Sequence, residues 1–373
     1  MNILVACDSF KEALSAEKVC QALSDGLILA SEKHRVSLFP LADGGEGTAR
    51  ILTWHTAGKT VDILVNDPLF RPIAATYGIS GDGSTAFIEM AAASGLQLLS
   101  EHEKNPMNTS SFGTGEMIAD AIRRGVKKIL LGIGGSATND AGIGMARALG
   151  WKFLDIFQSE LTGTGADLMR VQTIIPGEVF LPEIEILCDV DNPLYGDKGA
   201  AFIYGPQKGA TPDQIKQLDQ GLRHFARWWE KKGENHSITP GAGAAGGLGF
   251  GGKVFLNGKI RPGIEAVMDV TRFESALKKS NMVISGEGKI DGQTIHGKLI
   301  SGICRKAQIH HVPVIAVCGA LDITPQQLAT LNLFAAFSIQ QKPVSLAEAI
   351  ASTARNLEQT GFNIGRLLAG FPQ

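Results

Sequence analysis

The sequence predicts an α/β protein of two domains. Its 373 residues exceed the length that a single hydrophobic core usually organises. Both ends of the chain alternate apolar runs of strand length with segments of helical spacing, which is typical of a parallel sheet covered by helices. We therefore predict one discontinuous α/β domain over 1–60 and 290–373, with a Rossmann-like or flavodoxin-like parallel sheet, and an inserted α/β domain over 61–289.

The N-terminal segment has the pattern of a strand, a helix and a second strand. Ile3 to Cys7 is a continuous apolar run, as in buried parallel strands. Ser15 is a suitable N-cap for the helix that follows, and Val36 to Leu41 predicts the second strand. The loop from Asp8 to Leu14 is therefore expected at the carboxyl end of a parallel strand, where open α/β sheets bind ligands.

The central and C-terminal segments differ in pattern. Shorter alternating runs between about residues 61 and 90, broken by Pro and Gly, predict antiparallel strands. The C-terminal part returns to the first pattern, with a helix at Ile300 to Ala307, strands at Val314 to Cys318 and Phe334 to Ile339, and a helix from Leu346 to Leu357. The tract from Pro240 to Gly252 fits either a flexible linker or a helix start packed close to another backbone.

Composition excludes several classes of function. Lys and Arg number 35 against 37 Asp and Glu, a net charge of −2, so no electrostatic field attracts nucleic acid or acidic membranes. No apolar span is long enough to cross a bilayer, and a small-molecule partner is expected. The five cysteines are scattered and never form a C-x-x-C pair, which favours a cytoplasmic protein without a disulfide or zinc framework.

The sharpest motif runs from Ile129 to Asp140. An apolar strand ends in closely spaced glycines and hydroxyl or amide residues, and the apolar spacing after Gly142 then suits a helix. Glycines allow backbone N–H groups to approach a phosphate closely, so this junction predicts an anion site. A second glycine-rich loop, predicted from Ser285 to Asp291, adds two carboxylates and a lysine, and together the two loops suggest phosphate plus metal.

The same residues permit other interpretations. Gly132, Gly134 and Ala137 fit G-x-G-x-x-[GA], with Asp155 at the distance of a ribose-binding acid, which keeps a nicotinamide-dependent oxidoreductase as the alternative. A tight turn without a ligand is a further reading of this single, mid-chain match. Two stretches resemble a P-loop but lack its final hydroxyl residue, and we reject both, although Lys298 in the second stays a possible phosphate ligand.

Charged residues concentrate in the predicted loops. The loop carboxylates are Asp8, Asp43, Glu46, Asp189, Asp191, Glu287 and Asp291. Any one of them could be a turn former or an N-cap. Several at the ends of different strands favour phosphoryl transfer, because Mg2+ prefers a few carboxylates plus phosphates and the attacking hydroxyl needs a carboxylate to orient it. Lys11, Lys208 and Lys289 lie in similar loops and either neutralise phosphate or substrate charge or are ordinary solvated lysines.

The motifs, taken in order, resemble those of type I glycerate kinases from Asn2 to beyond residue 300. The matching segments start at Ala42 (ADGGEGT), Ile88 (IEMAAASGL), Thr109 (TSSFGTGE), Gly132 (GIGGSATND), Cys188 (CDVDNPL), Gly205 (GPQKGA), Pro240 (PGAGAAGGL) and Gly286 (GEGKID). The chain departs from the family pattern at Cys7, at Ala141, where a glycine is usual, and at Asp67 to Phe70. None of these departures removes a charged candidate.

The resemblance implies ATP-dependent phosphorylation of D-glycerate at the 2-hydroxyl and an active-site cleft between two α/β domains. The family motifs indicate where the site lies more firmly than what each residue does, so we assign the roles below as predictions from the chemistry of the loop residues. They are ATP binding by Gly134, Gly135, Ser136, Thr138 and Asn139; catalysis by Asp189, Asp291 and Lys11; substrate binding by Asp8, Ser9, Asp43, Lys208 and Lys289; and Mg2+ binding by Asp191 and Glu287. Asp189 and Asp191 could each hold Mg2+ or orient the hydroxyl, and the oligomeric state is left open.

Overall fold

The structure is a computed structural model that describes residues 1–292, 294 and 299–370. The chain forms two compact units. The first contains Met1–Asp43 and Ile264–Gln373, and the second contains Gly44–Gly263. The boundaries therefore lie at 43/44 and 263/264, whereas the sequence suggested 60/61 and 289/290.

The strands of the described residues are β1 (Asn2–Cys7), β2 (Arg35–Leu38), β3 (Lys59–Asn66), β4 (Pro72–Ile79), β5 (Thr85–Glu89), β6 (Lys128–Gly132), β7 (Lys152–Leu154), β8 (Thr173–Ile175), β9 (Glu183–Leu187), β10 (Lys259–Arg261), β11 (Met282–Ile290), β12 (Val314–Leu321) and β13 (Ala335–Ser338).

The α-helices of the same residues are α1 (Ala16–Ala30), α2 (Thr48–His55), α3 (Ala91–Ser94), α4 (Phe112–Arg123), α5 (Ile143–Ala148), α6 (Ala200–Tyr204), α7 (Pro212–Glu230), α8 (Ala244–Leu256), α9 (Gly263–Thr271), α10 (Phe273–Leu277), α11 (Leu299–Ile309), α12 (Pro325–Thr330) and α13 (Leu346–Ala369). Short 3-10 helices cover Leu96–Leu98, Glu101–Glu103, Gly165–Arg170 and Pro206–Lys208.

The first unit is built on a parallel sheet of five strands in the order β13-β12-β11-β1-β2. All four pairings are parallel, and Val5 of β1 lies between Ile284 of β11 and Leu38 of β2. This is the flavodoxin-like order, in which ligands bind where the strand order reverses, here between β1 and β11. The predicted α/β class with a parallel sheet is thus confirmed.

One predicted loop is wrong. The segment from Ser285 to Ile290 belongs to strand β11, which pairs with β12 as far as Ile290 opposite Leu321. Sequence reasoning ended the strand at Ile284 because Gly286 and Gly288 are poor strand formers. Here glycine is needed for space, since a Cβ on Gly286 would lie 2.7 Å from a methyl carbon of Val317. The same strand explains why the first unit extends back beyond residue 290.

Helices α1 and α13 pack against each other with almost no gap between their backbones. A Cβ on Gly26 would overlap the carbonyl oxygen of Glu358, and one on Gly361 would lie 2.5 Å from that of Leu23. Glycine at these positions therefore permits a backbone contact that any larger residue would push apart. The contact fixes both helices against the apolar core of the first unit, formed by residues such as Ile3, Val5 and Ile284.

The second unit contains a mixed sheet of six strands in the order β10-β9-β6-β5-β4-β3. Strands β5, β6, β9 and β10 are parallel, whereas β3, β4 and β5 pair antiparallel, as the alternating runs after residue 61 predicted. Strands β7 and β8 form a separate antiparallel pair. In this unit the carboxyl ends of β5, β6 and β9 lie side by side, with Glu89 and Leu187 both next to Gly132.

Among the helices that the structure describes, we find no helix with the length and apolar character needed to span a membrane.

Candidate active site

The first candidate element is the glycine loop, residues 132–142, which joins β6 to α5 in the second unit. Gly134 and Gly135 are exposed, whereas the residues from Ser136 to Asp140 are buried. A Cβ on Gly134 would meet no atom closer than the Cα of Gly45, at 3.9 Å. The protein itself therefore leaves space above Gly134, and the backbone there is accessible to a ligand.

Asp140 anchors the buried half of the glycine loop. Its carboxylate accepts hydrogen bonds from the backbone N–H (2.8 Å) and hydroxyl (2.7 Å) of Ser111, and from the N–H of Gly144 (3.2 Å). Burial raises the pKa of Asp140, while these donors lower it. Asp140 thus holds the loop to the residue that precedes α4, and it is fully enclosed by protein.

Lys208 lies beneath the glycine loop. Its side chain is almost completely buried, and its Nζ donates to the Ser136 hydroxyl and to the Thr138 carbonyl, both at 2.7 Å. Burial lowers the pKa of Lys208 to about 7, and the nearby Asp140 carboxylate opposes that shift. The structure shows Lys208 bonded to the loop, and its contact with substrate stays a prediction. Its charge is therefore placed under the backbone that a phosphate would approach.

Two residues predicted to bind ATP have buried polar atoms without partners. The Thr138 hydroxyl and both polar atoms of the Asn139 amide form no hydrogen bond within the described part of the chain. Buried polar groups nearly always find a partner, which can be ordered water or a ligand. These atoms therefore have hydrogen-bonding capacity that the protein does not use.

The glycine tract, residues 240–252, supports the loop from behind. A Cβ on Gly246 would overlap the Thr138 carbonyl oxygen and lie 2.5 Å from the Cα of Asn139. Gly246 also has a φ of +67°, which favours glycine. Of the two readings of this tract, the structure supports a helix start packed against another backbone. Sequence reasoning did not connect the tract with the glycine loop, and the density of glycines in both was the available signal.

Sequence reasoning also missed two supporting residues, Ser111 and Glu89. Ser111 binds Asp140, as described above, and Glu89 at the end of β5 accepts the N–H groups of Ala49 (2.7 Å) and Gly47 (3.2 Å) at the start of α2. Burial raises the pKa of Glu89, and those two N–H groups counter the shift. Both residues stood in motifs of the family resemblance, without a chemical role assigned to them.

The second candidate element is the carboxylate cluster of the first unit, formed by Asp8, Asp43 and Glu287. Burial, and then the negative charges of Asp43 and Glu287, raise the pKa of Asp8 to about 7, although the Ser9 N–H donates to it at 2.6 Å. Glu287 accepts the Thr294 hydroxyl at 2.5 Å. Asp8 follows β1 and Glu287 lies on β11, so the cluster stands at the reversal of strand order, where such sheets bind ligands.

The lysines of the first unit differ in their surroundings. Lys289 forms ion pairs with Asp322 (3.2 Å) and Asp291 (3.3 Å), which raise its pKa. Lys11 is exposed and makes no hydrogen bond or ion pair with another residue that the structure describes. Two predicted residues, Lys289 and Asp291, are therefore brought together, and Lys11 is available to an anion.

Asp189 and Asp191 follow β9 in the second unit, and both are exposed. The Asp189 carboxylate accepts the N–H of Gly263, the first residue of α9, at 2.8 Å. A Cβ on Gly44 would lie 3.5 Å from the other carboxylate oxygen of Asp189 and 2.6 Å from the Cα of Gly263. Asp189 thus has a structural contact in addition to the catalytic role predicted for it.

The described residues contain no group of three or more His, Cys, Asp or Glu side chains that could hold a metal ion. Mg2+ commonly binds one or two carboxylates and completes its shell with water and phosphate oxygens. A site built on Glu287 or Asp191 would therefore depend on phosphate ligands. Lys298, the possible phosphate ligand from the rejected P-loop match, lies outside the described residues.

Comparison with known proteins places this arrangement in one family. Residues 3–369 match the family described as the glycerate kinase family. The chain is 42% identical to a Bacillus subtilis (strain 168) protein named glycerate kinase over 369 residues, which are 98% of this chain and 97% of that protein. It is 41% identical over 374 residues to an Escherichia coli (strain K12) protein named glycerate 2-kinase, covering 99% of this chain and 98% of that protein.

A solved structure is similar along the whole chain. It is the crystal structure of a protein from Salmonella typhimurium LT2 named 'putative glycerate kinase 2', and it superposes with a TM-score of 0.89 at 40% sequence identity. The match covers 99% of this chain and 98% of that chain.

Proposed function

Because this chain belongs to the glycerate kinase family, we propose that it transfers a phosphoryl group from ATP to the 2-hydroxyl of D-glycerate, giving 2-phosphoglycerate and ADP. The observation that carries this proposal is the glycine loop with exposed backbone at Gly134 and Gly135 over the buried Lys208. Backbone N–H groups above a buried cation suit a phosphate chain.

The residues of the second unit take the following roles in the proposal. Gly134, Gly135 and Ser136 contact the phosphates of ATP, and the free hydrogen-bonding capacity of Thr138 and Asn139 completes that contact directly or through water. Lys208 supplies positive charge from below. Asp189 orients the attacking hydroxyl or receives its proton, as phosphoryl transfer requires.

The residues of the first unit supply the charged groups. Asp8, Ser9 and Asp43 bind the polar groups of glycerate, and Lys11 and Lys289 face its carboxylate or the transferring phosphate. Asp291 assists in catalysis from its ion pair with Lys289. The raised pKa of Asp8 lets this carboxyl group carry a proton near neutral pH, so it can donate a hydrogen bond to a carboxylate.

Mg2+ would neutralise charge on the phosphates when bound. Asp191 and Glu287 are the side chains that we propose to hold it. The position of Glu287 supports this role, because its acidic side chain lies at the ligand-binding edge of a parallel sheet.

We further propose that the protein acts in the cytoplasm on a small-molecule substrate. All five cysteines are free thiols, which supports a reducing compartment. The nicotinamide-dependent alternative has no support, because the compared relatives are glycerate kinases. In addition, Asp155 is engaged in its own turn, where it accepts the N–H groups of Phe157 (2.9 Å) and Ser159 (3.0 Å).

The decisive experiment is an ATP-consumption assay with the purified protein. ADP should form only when D-glycerate and Mg2+ are both present. Coupling to enolase without phosphoglycerate mutase identifies the position, because enolase accepts 2-phosphoglycerate and not the 3-isomer. ADP release without an enolase signal would contradict phosphorylation at the 2-hydroxyl. In a parallel thermal-shift titration, ATP and not NAD should raise the melting temperature.

A further inference from the structure

A cavity in the first unit lies beside the carboxylate cluster but contains none of its members. Its volume is about 460 Å³, within the range of small-molecule sites. It is lined by Phe10 and Lys11 from the loop after β1, by Gly288 and Gly319 from β11 and β12, and by residues near the start of α13. The cavity therefore opens at the ligand-binding edge of the parallel sheet, next to the reversal of strand order between β1 and β11.

The cavity is lined by apolar side chains and by two glycines. Phe10, Leu346 and Ile350 supply the apolar wall. A Cβ on Gly319 would lie 2.7 Å from the carbonyl oxygen of Gly288, so glycine is needed there for the two strands to approach. These glycines line the cavity without side chains and therefore leave space for a ligand.

The rim of the cavity carries two lysines that form no ion pair among the residues of the described ranges. Lys11 and Lys342 are both exposed, and neither forms a hydrogen bond or ion pair with any residue that the structure describes. No Asp or Glu is among the described lining residues. An apolar pocket with two unpaired ammonium groups at its mouth suits a ligand that has a flat apolar part and an anionic end.

We propose that this cavity binds the nucleoside part of the phosphoryl donor, with the base against the wall of Phe10, Leu346 and Ile350 and the phosphates directed toward Lys11 and Lys342. The proposal rests on the proposed kinase function and adds the location of the nucleoside. A nucleoside polyphosphate combines the two chemical features that the cavity offers, an apolar ring system and a chain of negative charges.

The test uses a matched pair of substitutions on helix α13. Ala349 lines the cavity, whereas Ala351 is exposed on the same helix and lines no part of it. Ala349→Phe should fill the cavity and weaken ADP binding, measured by titration calorimetry in the full-length protein, by roughly tenfold or more, while Ala351→Phe should leave it unchanged. Equal melting temperatures for the two variants would show that both are folded.

A second variant distinguishes binding of the phosphates from binding of the nucleoside. Lys342→Gln should weaken ADP binding several-fold and leave adenosine binding unchanged, because adenosine has no phosphate. The proposal is overturned if folded Ala349→Phe protein binds ADP as the wild type does, or if ADP binds equally to Lys342→Gln and wild type.

The test of the cavity and the test of the proposed kinase activity can fail independently of each other. Glycerate-dependent ADP formation by the wild type tests the kinase activity, whereas nucleotide binding to the two variants tests the cavity. A wild type that binds ADP through this cavity but does not use glycerate would contradict the proposed substrate and retain the cavity. An active wild type whose Michaelis constant for ATP is the same in Ala349→Phe would retain the function and overturn the cavity.

Discussion

The glycine loop of the second unit and the carboxylate cluster of the first unit stand at equivalent places and offer opposite chemistry. Each lies at the carboxyl end of parallel strands, after β6 in one unit and at β1 and β11 in the other. The loop presents backbone and a buried lysine, whereas the cluster presents three carboxylates. The sheet thus determines where loops collect, and the side chains determine which charge the site attracts.

The same physical cause acts on both regions. Burial lowers the pKa of Lys208 to about 7 and contributes most to raising the pKa of Asp8 to about 7. Desolvation penalises the charged form of either group, so a base and an acid shift in opposite directions toward the same value. Both groups therefore change their protonation near neutral pH, although one starts as a strong base and the other as an acid.

The largest expected effect tests whether the glycine tract supports the loop. Gly246→Ala should destabilise the protein by about 3 kcal/mol or more, because the new Cβ overlaps Thr138 and the residue has a positive φ. Gly233→Ala is the control, since Gly233 also has a positive φ but a Cβ there meets nothing within 4 Å. It should cost only about 1 kcal/mol by chemical denaturation. Similar losses in both variants would show that the tract does not brace the loop.

The next prediction tests the contrast between the two units. Asp189 is a predicted catalytic carboxylate, but it lies in the second unit and not in the carboxylate cluster of the first unit. Asp189→Asn should lower turnover by roughly a hundredfold or more, the scale expected when a group that orients or deprotonates the substrate is lost. The fold should persist, since an Asn side chain can still accept the Gly263 N–H. Asp197→Asn, a change at another exposed loop carboxylate, is the control.

Steady-state kinetics at saturating Mg2+ distinguishes the roles open to Asp189. A loss of Mg2+ affinity would identify a metal ligand, and a loss of turnover that excess Mg2+ does not restore would favour orientation of the hydroxyl. Near-normal turnover would make Asp189 a helix cap alone. In that case the catalytic carboxylate should be sought in the cluster of the first unit.

A smaller effect tests access to the loop backbone. Gly134→Val should raise the Michaelis constant for ATP by roughly tenfold and that for glycerate much less, since the protein leaves room for the side chain and only a phosphate would compete for it. Gly370→Val, at an exposed helix end with ordinary contacts, should change neither constant. Equal effects of Gly134→Val on both constants would indicate a structural turn.

The smallest effect is a pH dependence of stability. The pKa of Lys208 is about 7 in the folded protein and ordinarily 10.5, so between these values the unfolded chain binds more protons and wild-type stability rises with pH. The melting temperature of Lys208→Met relative to the wild type should therefore fall by a few degrees from pH 7 to pH 9.5. Lys231→Met, at an exposed lysine, should show no such trend. A constant difference for Lys208→Met would mean that Lys208 keeps its charge throughout this range.

The sequence predicted those strands and loops whose formation depends on a local residue pattern. Apolar runs identified β1 and β6, and the residues after them, Asp8 and Gly134, then followed as candidates because parallel strands bring their carboxyl ends to one edge. The antiparallel strands after residue 61 were predicted in the same way. Their alternation is a property of a few neighbouring residues and needs no knowledge of the rest of the chain.

Contacts between distant residues could not be predicted. Lys208 bonds to residues 70 and 72 positions away, and nothing in its own segment shows that it faces the underside of the loop. The partnership of Ser111 with Asp140 spans 29 positions. Strand β11 was cut short for a related reason, because the space that makes Gly286 necessary is created by Val317 on another strand.

The junctions at 43/44 and 263/264 lie side by side, since a Cβ on Gly44 would lie only 2.6 Å from the Cα of Gly263. A segment whose two ends meet can be inserted into, or removed from, a host chain without stretching the host across a gap. The second unit has this property relative to the loop that follows β2. Both connections of the second unit thus start from one place, which is the geometry expected of a unit inserted into a loop.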